Sequence, residues 1–263
     1  LSITDHSDSN VTVDYSRVVL GLKGETQSFL AGWNWDLSFQ YSKSEGEYID
    51  DQVLTDALEY PFFRTASCTG EITPITVREC VDIQWLDPNF LAGDIPREVE
   101  DYLFDVDRGT TEYTQWSVEG FMTGDIFEMP AGTAAMAIGF HYREDEILDT
   151  PGDIVLAGNA WLAAAEGITQ GDDSTVAVFA EVDIPLLADK TLIRYLDFNA
   201  SVRYTDVDSY GDDTTYKVGM NWALTDEVRL RSTFGTSFRT PALYELYLAN
   251  QSSSISARNA DPC

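Results

Sequence analysis

Cys68 and Cys80 stand twelve positions apart within one polar stretch, a spacing that would close a loop disulfide in an oxidising compartment and would leave Cys263 without a partner. Other reactive groups are arranged less suggestively. His6 and His141 are the two histidines and lie far apart in sequence, which gives no His-rich metal site and a poor basis for His-mediated acid–base catalysis. The acidic runs at 48–52 (YIDDQ), 143–146 (REDE) and 210–214 (YGDDT) supply oxygen ligands of the kind calcium takes, but no Ca loop with its central Gly and final Glu accompanies them. Solvated loop tips are the simpler reading. No G-x-S-x-G elbow is present, and Ser252, Ser253 and Ser254 read as a flexible loop. Carboxylates are abundant without a pocket to organise them, so no catalytic role, metal site or cofactor is expected.

What positions these residues is bounded by composition. With 45 acidic against 16 basic residues the net charge is −29, which repels polyanions and excludes nucleic acid as a partner on electrostatic grounds. The chain holds 13 Tyr, 13 Phe and 6 Trp, yet its mean hydropathy is −0.18. No run of about 18 apolar residues offers a transmembrane helix. Weak hydropathy with many aromatics suits either a secreted β-protein or an outer-membrane barrel. Cys263 as an orphan, and a start at Leu1-Ser2-Ile3-Thr4-Asp5 with neither Met nor signal peptide, lead to the expectation of an internal piece of a precursor.

Period-2 alternation recurs in eight segments. Trp33, Trp35, Leu37, Phe39 and Tyr41 oppose Asn34, Asp36, Ser38, Gln40 and Ser42. The same sorting marks 133–147 (Met136, Ile138, Phe140, Tyr142 on one side), 194–206 (Leu196, Phe198, Ala200, Val202, Tyr204), 216–222 and 228–238. It is weaker at 11–22, 112–129 and 174–187. Such segments match tilted strands that cross a hydrocarbon core in about 10 residues, longer than the usual five or six of soluble sheets. Short connections near 23–29, 130–132, 188–190 and 225–226 alternate with longer ones near 43–111, 148–173 and 206–213. Outer-membrane barrels keep short periplasmic turns and long outer loops in this way. With the short turns periplasmic, both ends of the chain lie outside, which reads as a contiguous arc of a larger barrel.

Arg143, Arg203, Lys217, Arg229 and Arg231 then fall on the polar, lumen-facing side, as does Arg239. They would touch an anionic ligand or a plug, or, as the favoured reading, balance the lumenal charge of Asp36, Glu119, Glu181, Asp183 and Asp197. Phe62, Phe63, Trp85 and Phe90 need burial in an otherwise polar loop, either packed around a Cys68–Cys80 bridge, the preferred reading, or in a ligand mouth. The segment from Arg97 (REVEDYLFDVD) has helical spacing at Val99, Tyr102, Leu103 and Val106.

The last segment, EVRLRSTFGTSF, runs into RTPALYELY, placing Phe238, Arg239, Pro241, Glu245 and Leu246 in an FR-x-P-x-x-x-E-L pattern. That pairing resembles the TonB-dependent outer-membrane receptors, as does the Pro130-Ala131-Gly132 hairpin. The resemblance extends over nearly the whole chain and is weakest in the long loop. It implies a barrel of roughly 22 strands with a plugged lumen, a small-molecule nutrient ligand, outer-membrane lipid around the barrel, and coupling to the TonB energy-transducing complex through a plug. The chain shows no plug, no recognisable coupling box and no terminal aromatic strand.

The expectation is therefore an all-β, antiparallel up-and-down transmembrane β-barrel segment over residues 1–263, with a long extracellular loop at about 43–111 and a C-terminal loop from about 240. Its function would be energy-dependent uptake of a scarce nutrient such as a siderophore, cobalamin or oligosaccharide at the bacterial outer membrane, with no enzymatic step. The alternatives are a porin-like passive channel and a secreted soluble β-sheet module. Against the second stand apolar faces too large for a soluble monomer to expose.

Overall fold

The computed structural model describes residues 8–27, 30–62, 66–164 and 166–249; His6, Phe63, Ser252, Ser253, Ser254 and Cys263 lie outside them. Eight strands form one sheet in sequential order, each pair antiparallel: β1 (Ser9–Glu25), β2 (Asn34–Val53), β3 (Phe104–Met129), β4 (Gly132–Thr150), β5 (Thr169–Lys190), β6 (Ile193–Val207), β7 (Gly211–Ala223) and β8 (Arg229–Gly235). The protein is all-β in its spanning part, an up-and-down meander with every strand hydrogen-bonded to its chain neighbour.

Strand length corrects the loop boundaries. β2, β3, β4 and β5 have 20, 26, 19 and 22 residues, about twice what crosses a hydrocarbon core. The long connection is consequently 54–103 rather than 43–111, the next is 151–168, and that between β6 and β7 shrinks to 208–210. Alternation fades toward the long-connection ends of the strands, where polar residues such as Lys43, Ser44 and Glu45 continue a strand that a hydrophobic pattern alone would end. The ladder continues because backbone groups pair regardless of which side chains they carry.

Register sorts the sheet into two faces. Trp35 pairs with Met122, Met122 with Ile138, Ile138 with Ala180, Ala180 with Val202 and Val202 with Tyr216. A parallel rank runs Leu22, Leu37, Gly120, Phe140, Val178 and Tyr204. These ranks make one apolar band across the sheet. The opposite face carries Ser38, Glu119, His141, Ala177, Thr205 and Asp213 in register. At the short-turn end Trp33 is buried across Gly124, where a Cβ would come within 2.3 Å of the indole. The Trp33 Nε1–H donates to Asp125 O at 3.1 Å.

The extended strand ends carry a cap of a different kind. Connection 54–103 folds into α1 (Thr55–Phe62), α2 (Pro88–Leu91) and α3 (Arg97–Leu103), and connection 151–168 contributes α4 (Asp153–Leu156). Leu54 and Leu103, both 0 % exposed, anchor an apolar core with Ile83, Phe90 and Val99, against which Ile154 and Trp161 of the second connection pack. Phe62, Trp85 and Phe90 stack edge to face, with centroids 5.8 and 5.6 Å apart. Cys68 and Cys80 are joined by a disulfide inside this core, with Cα atoms 5.7 Å apart. The helix foreseen from Arg97 ends at Leu103, because Phe104 onward joins β3; the Arg78 guanidinium collects the carbonyls of Asp101, Tyr102 and Phe104 at that helix end and pairs with Asp105.

Candidate functional site

Arg143, Arg203, Lys217, Arg229 and Arg231 all occupy the polar face, since their register partners are Ser117, Thr215, Ser201, Ala223 and Asn221. Their partners differ. Arg143 Nε lies 2.7 Å from Asp145 Oδ2 without the alignment of a hydrogen bond. Arg203 sits over the Phe179 ring at 5.6 Å and its Nε–H donates to Thr205 Oγ1 at 3.3 Å. Lys217, Arg229 and Arg231 make no ion pair among the described residues. Asp197 is buried on the same face; one oxygen accepts from Asn221 Nδ2 at 3.2 Å and the other has no partner. A face of this make-up offers cationic groups and unsatisfied polar atoms to whatever occupies the volume in front of it.

The outer end of the polar face is organised around Asp145. Its Oδ1 accepts from Tyr113 Oη at 2.7 Å and from Gln115 Nε2 at 2.6 Å, so this buried carboxylate is held from β3 and from Arg143 on its own strand. Over it passes the segment that follows β8. Thr236 continues the ladder by exchanging hydrogen bonds with Tyr216, its N–H donating at 2.9 Å and its Oγ1 accepting at 3.0 Å. Pro241, which lacks an N–H, cannot continue a ladder, and the chain folds back as α5 (Leu243–Tyr247).

Within that fold-back the motif residues serve each other. Arg239 Nη2 donates to both Glu245 oxygens at 2.7 Å, and Glu245 Oε2 also accepts the Ala242 N–H at 2.8 Å. Arg239 first, then the Ala242 N–H, hold the Glu245 carboxyl below its ordinary range. The turn sends Tyr247 over Gly171 of β5, where a Cβ would lie 2.2 Å from the ring. Tyr247 Oη donates to Asp172 O at 2.6 Å, and Ala249 N–H to Thr169 Oγ1 at 3.2 Å. The segment is therefore a strap from the outer end of β8 back to β5. Beneath it lies a cleft of ≈ 330 Å³ lined by Tyr113, Arg143, Asp145, Asp173, Arg239 and Tyr244, among others.

Sequence reading placed the motif and the five cations but missed the Tyr113–Gln115–Asp145 cluster and the Gly171–Tyr247 seat. The cluster had one visible signal, polar residues at the outer ends of the 112–129 and 133–147 segments; the seat had none, because a lone Gly in a strand does not name the ring that will cover it. Among the described residues no group of three or more His, Cys, Asp or Glu is placed to hold a metal ion.

A protein-family model described as "TonB dependent receptor-like, beta-barrel" matches residues 2–262. Among curated proteins nothing matches this chain.

Proposed function

The chain belongs to the TonB-dependent receptor β-barrel family, a family of outer-membrane receptors, and from that premise we propose that it supplies part of the barrel and outer mouth of a nutrient importer. The described residues contribute eight strands of a larger barrel, of roughly 22 strands in this family. The apolar band faces lipid and the polar face looks into the lumen. Ligand enters from the cap side and meets the cleft under the strap, with no covalent step. Coupling to the TonB complex runs through a plug.

The observation that carries this reading is the apolar band made by two neighbouring ranks, one running from β2 to β7 and the other from β1 to β6, backed by a mostly polar face one residue out of phase. A soluble sheet would have to cover such a band with a second layer, and the described residues include none. The ligand class follows from size and charge: the cleft presents arginines beside satisfied carboxylates, which suits a polar, anionic-to-neutral small molecule such as a chelate or oligosaccharide better than an apolar one.

The test uses the intact gene in a Gram-negative host. Outer-membrane fractions should contain the protein in a heat-modifiable, detergent-dependent form. Labelled ferric siderophore, cobalamin and oligosaccharide should be offered in turn, with accumulation of one of them abolished by deleting tonB. Accumulation that persists without TonB would establish the passive channel, and a protein soluble without detergent would remove the membrane reading altogether.

A further inference from the structure

The cap contains a buried polar pair that the sheet does not require. Asp56, in α1, and Asn159, just beyond α4, exchange two hydrogen bonds: Asp56 N–H donates to Asn159 Oδ1 and Asn159 Nδ2 donates to Asp56 Oδ1, each at 2.9 Å. They are 6 % and 1 % exposed. Asp56 Oδ2 accepts three more, from the Ile75 N–H at 3.1 Å, the Thr76 N–H at 2.8 Å and the Thr76 hydroxyl at 2.9 Å. One carboxylate thus joins α1, the turn at 73–78 and the second connection.

Backbone bonds flank the pair. Thr55 N–H donates to Asn159 O at 2.7 Å, Trp161 N–H donates to Val53 O at 2.8 Å, and Leu54 bridges Ala160. From the β3 side, buried Asp107 accepts the Ile154 and Val155 N–H groups at 3.2 and 3.1 Å and so caps α4. Chain connectivity demands none of this: connections 54–103 and 151–168 belong to different strand pairs and are linked covalently only through β3 and β4. Removing either member of the pair strands its partner away from water, the expensive way to lose a hydrogen bond.

We propose that connections 54–103 and 151–168 open and close as one cooperative body, with Asp56–Asn159 as its latch. The outer mouth then has one rigid wall in place of two independent flaps. Any ligand that touches one connection in its closed form shifts the other by the same factor, through linkage. The strap docks on β5 at Thr169 and Asp172 and lies close to the second connection at Gly167, but its hydrogen bonds reach neither latch residue.

Hydrogen–deuterium exchange on the full-length receptor in detergent micelles tests this with two perturbations. The first is wild-type protein reduced and alkylated at Cys68 and Cys80, which both lie in the first connection. The second is Asn159→Ala, a change of residue in the second connection that breaks both side-chain bonds to Asp56. In either case exchange should accelerate about tenfold or more in both 54–80 and 151–164, while 112–129 stays unchanged. The proposal is overturned if each perturbation accelerates only its own connection, or if neither accelerates the other's. Should Asn159→Ala fail to assemble, the reduced wild-type protein decides alone.

Discussion

The sheet and the cap are built from one chain by different means. Across the sheet the fully buried residues are few and mostly small, Ala134, Ala177 and Ala223 among them, while Leu20, Leu22, Phe140, Val178 and Phe234 stay well exposed. A single layer has nothing to bury them against; its cohesion in this chain is the ladder, and the medium must accept the rest. The cap instead resembles a small secreted domain, with an apolar core, capped helices and a disulfide. The difference teaches where each part meets its solvent: apolar side chains point outward where lipid is expected and inward where water is.

The largest effect that would break this contrast comes from truncating one leucine in each part. Leu103→Ala removes a fully buried side chain from the cap core, and should destabilise the cap by about 2–5 kcal/mol. Protease should then cut within 54–103 while the barrel keeps its heat-modifiable mobility. Leu37→Ala, at a side chain 39 % exposed on the apolar band, should leave both readouts nearly unchanged. Equal damage from both variants would mean that the band is covered by protein rather than lipid.

A second pair sharpens the contrast within the sheet. Ala180 lies between Ile138 and Val202 on the apolar face, and Ser201 between Glu181 and Lys217 on the polar one. Ala180→Arg should cost about 2–4 kcal/mol of folding free energy in bilayers, whereas Ser201→Arg should stay within about 0.5 kcal/mol, as surface changes do. Urea titration of the receptor folded into phospholipid vesicles reads both. A reversed order would exchange the lumenal and lipid faces.

What was legible follows the same division. The eight strands, their order and both faces could be read because alternation is imposed locally wherever one side is apolar and the other wet. Trp35, Leu37 and Phe39 announce their face without knowing their partners. Strand ends above the membrane were not legible, since Lys43, Glu45 and Glu112 gather into an ion-paired cluster that has no period. The cap was half legible. Arg97–Leu103 showed its helical spacing, whereas the Asp56–Asn159 pair joins residues 103 apart, and each looks in sequence like an ordinary loop polar residue. For the motif, residue types suggested a recurrent segment, but only the fold shows Arg239 and Glu245 gripping each other so that Tyr247 reaches Gly171.

The smallest effect separates two carboxylates of opposite sign in the cap. Burial works to raise the Asp56 pKa, but the donors from Thr76, Asn159 and Ile75 outweigh it and hold the carboxyl below its ordinary range. A carboxylate depressed in the folded state stabilises above its unfolded pKa of about 4, and that contribution is lost as pH falls through the lower folded value. Glu166, in the second connection, is raised by burial and by the charges of Asp149 and Asp50. Its ionised form therefore opposes folding at neutral pH, and that opposition is relieved as pH falls through its raised folded value. Near-UV circular dichroism of the cap tryptophans Trp85 and Trp161 should consequently hold steady from neutral pH to about 4, where the relief at Glu166 comes first, and weaken only below it, where Asp56 protonates. Asp56→Asn should lower cap stability at neutral pH and remove the acid-side loss. A cap that strengthens progressively between neutral pH and about 5 and does not weaken below 4 would place control with Glu166 and its neighbours instead.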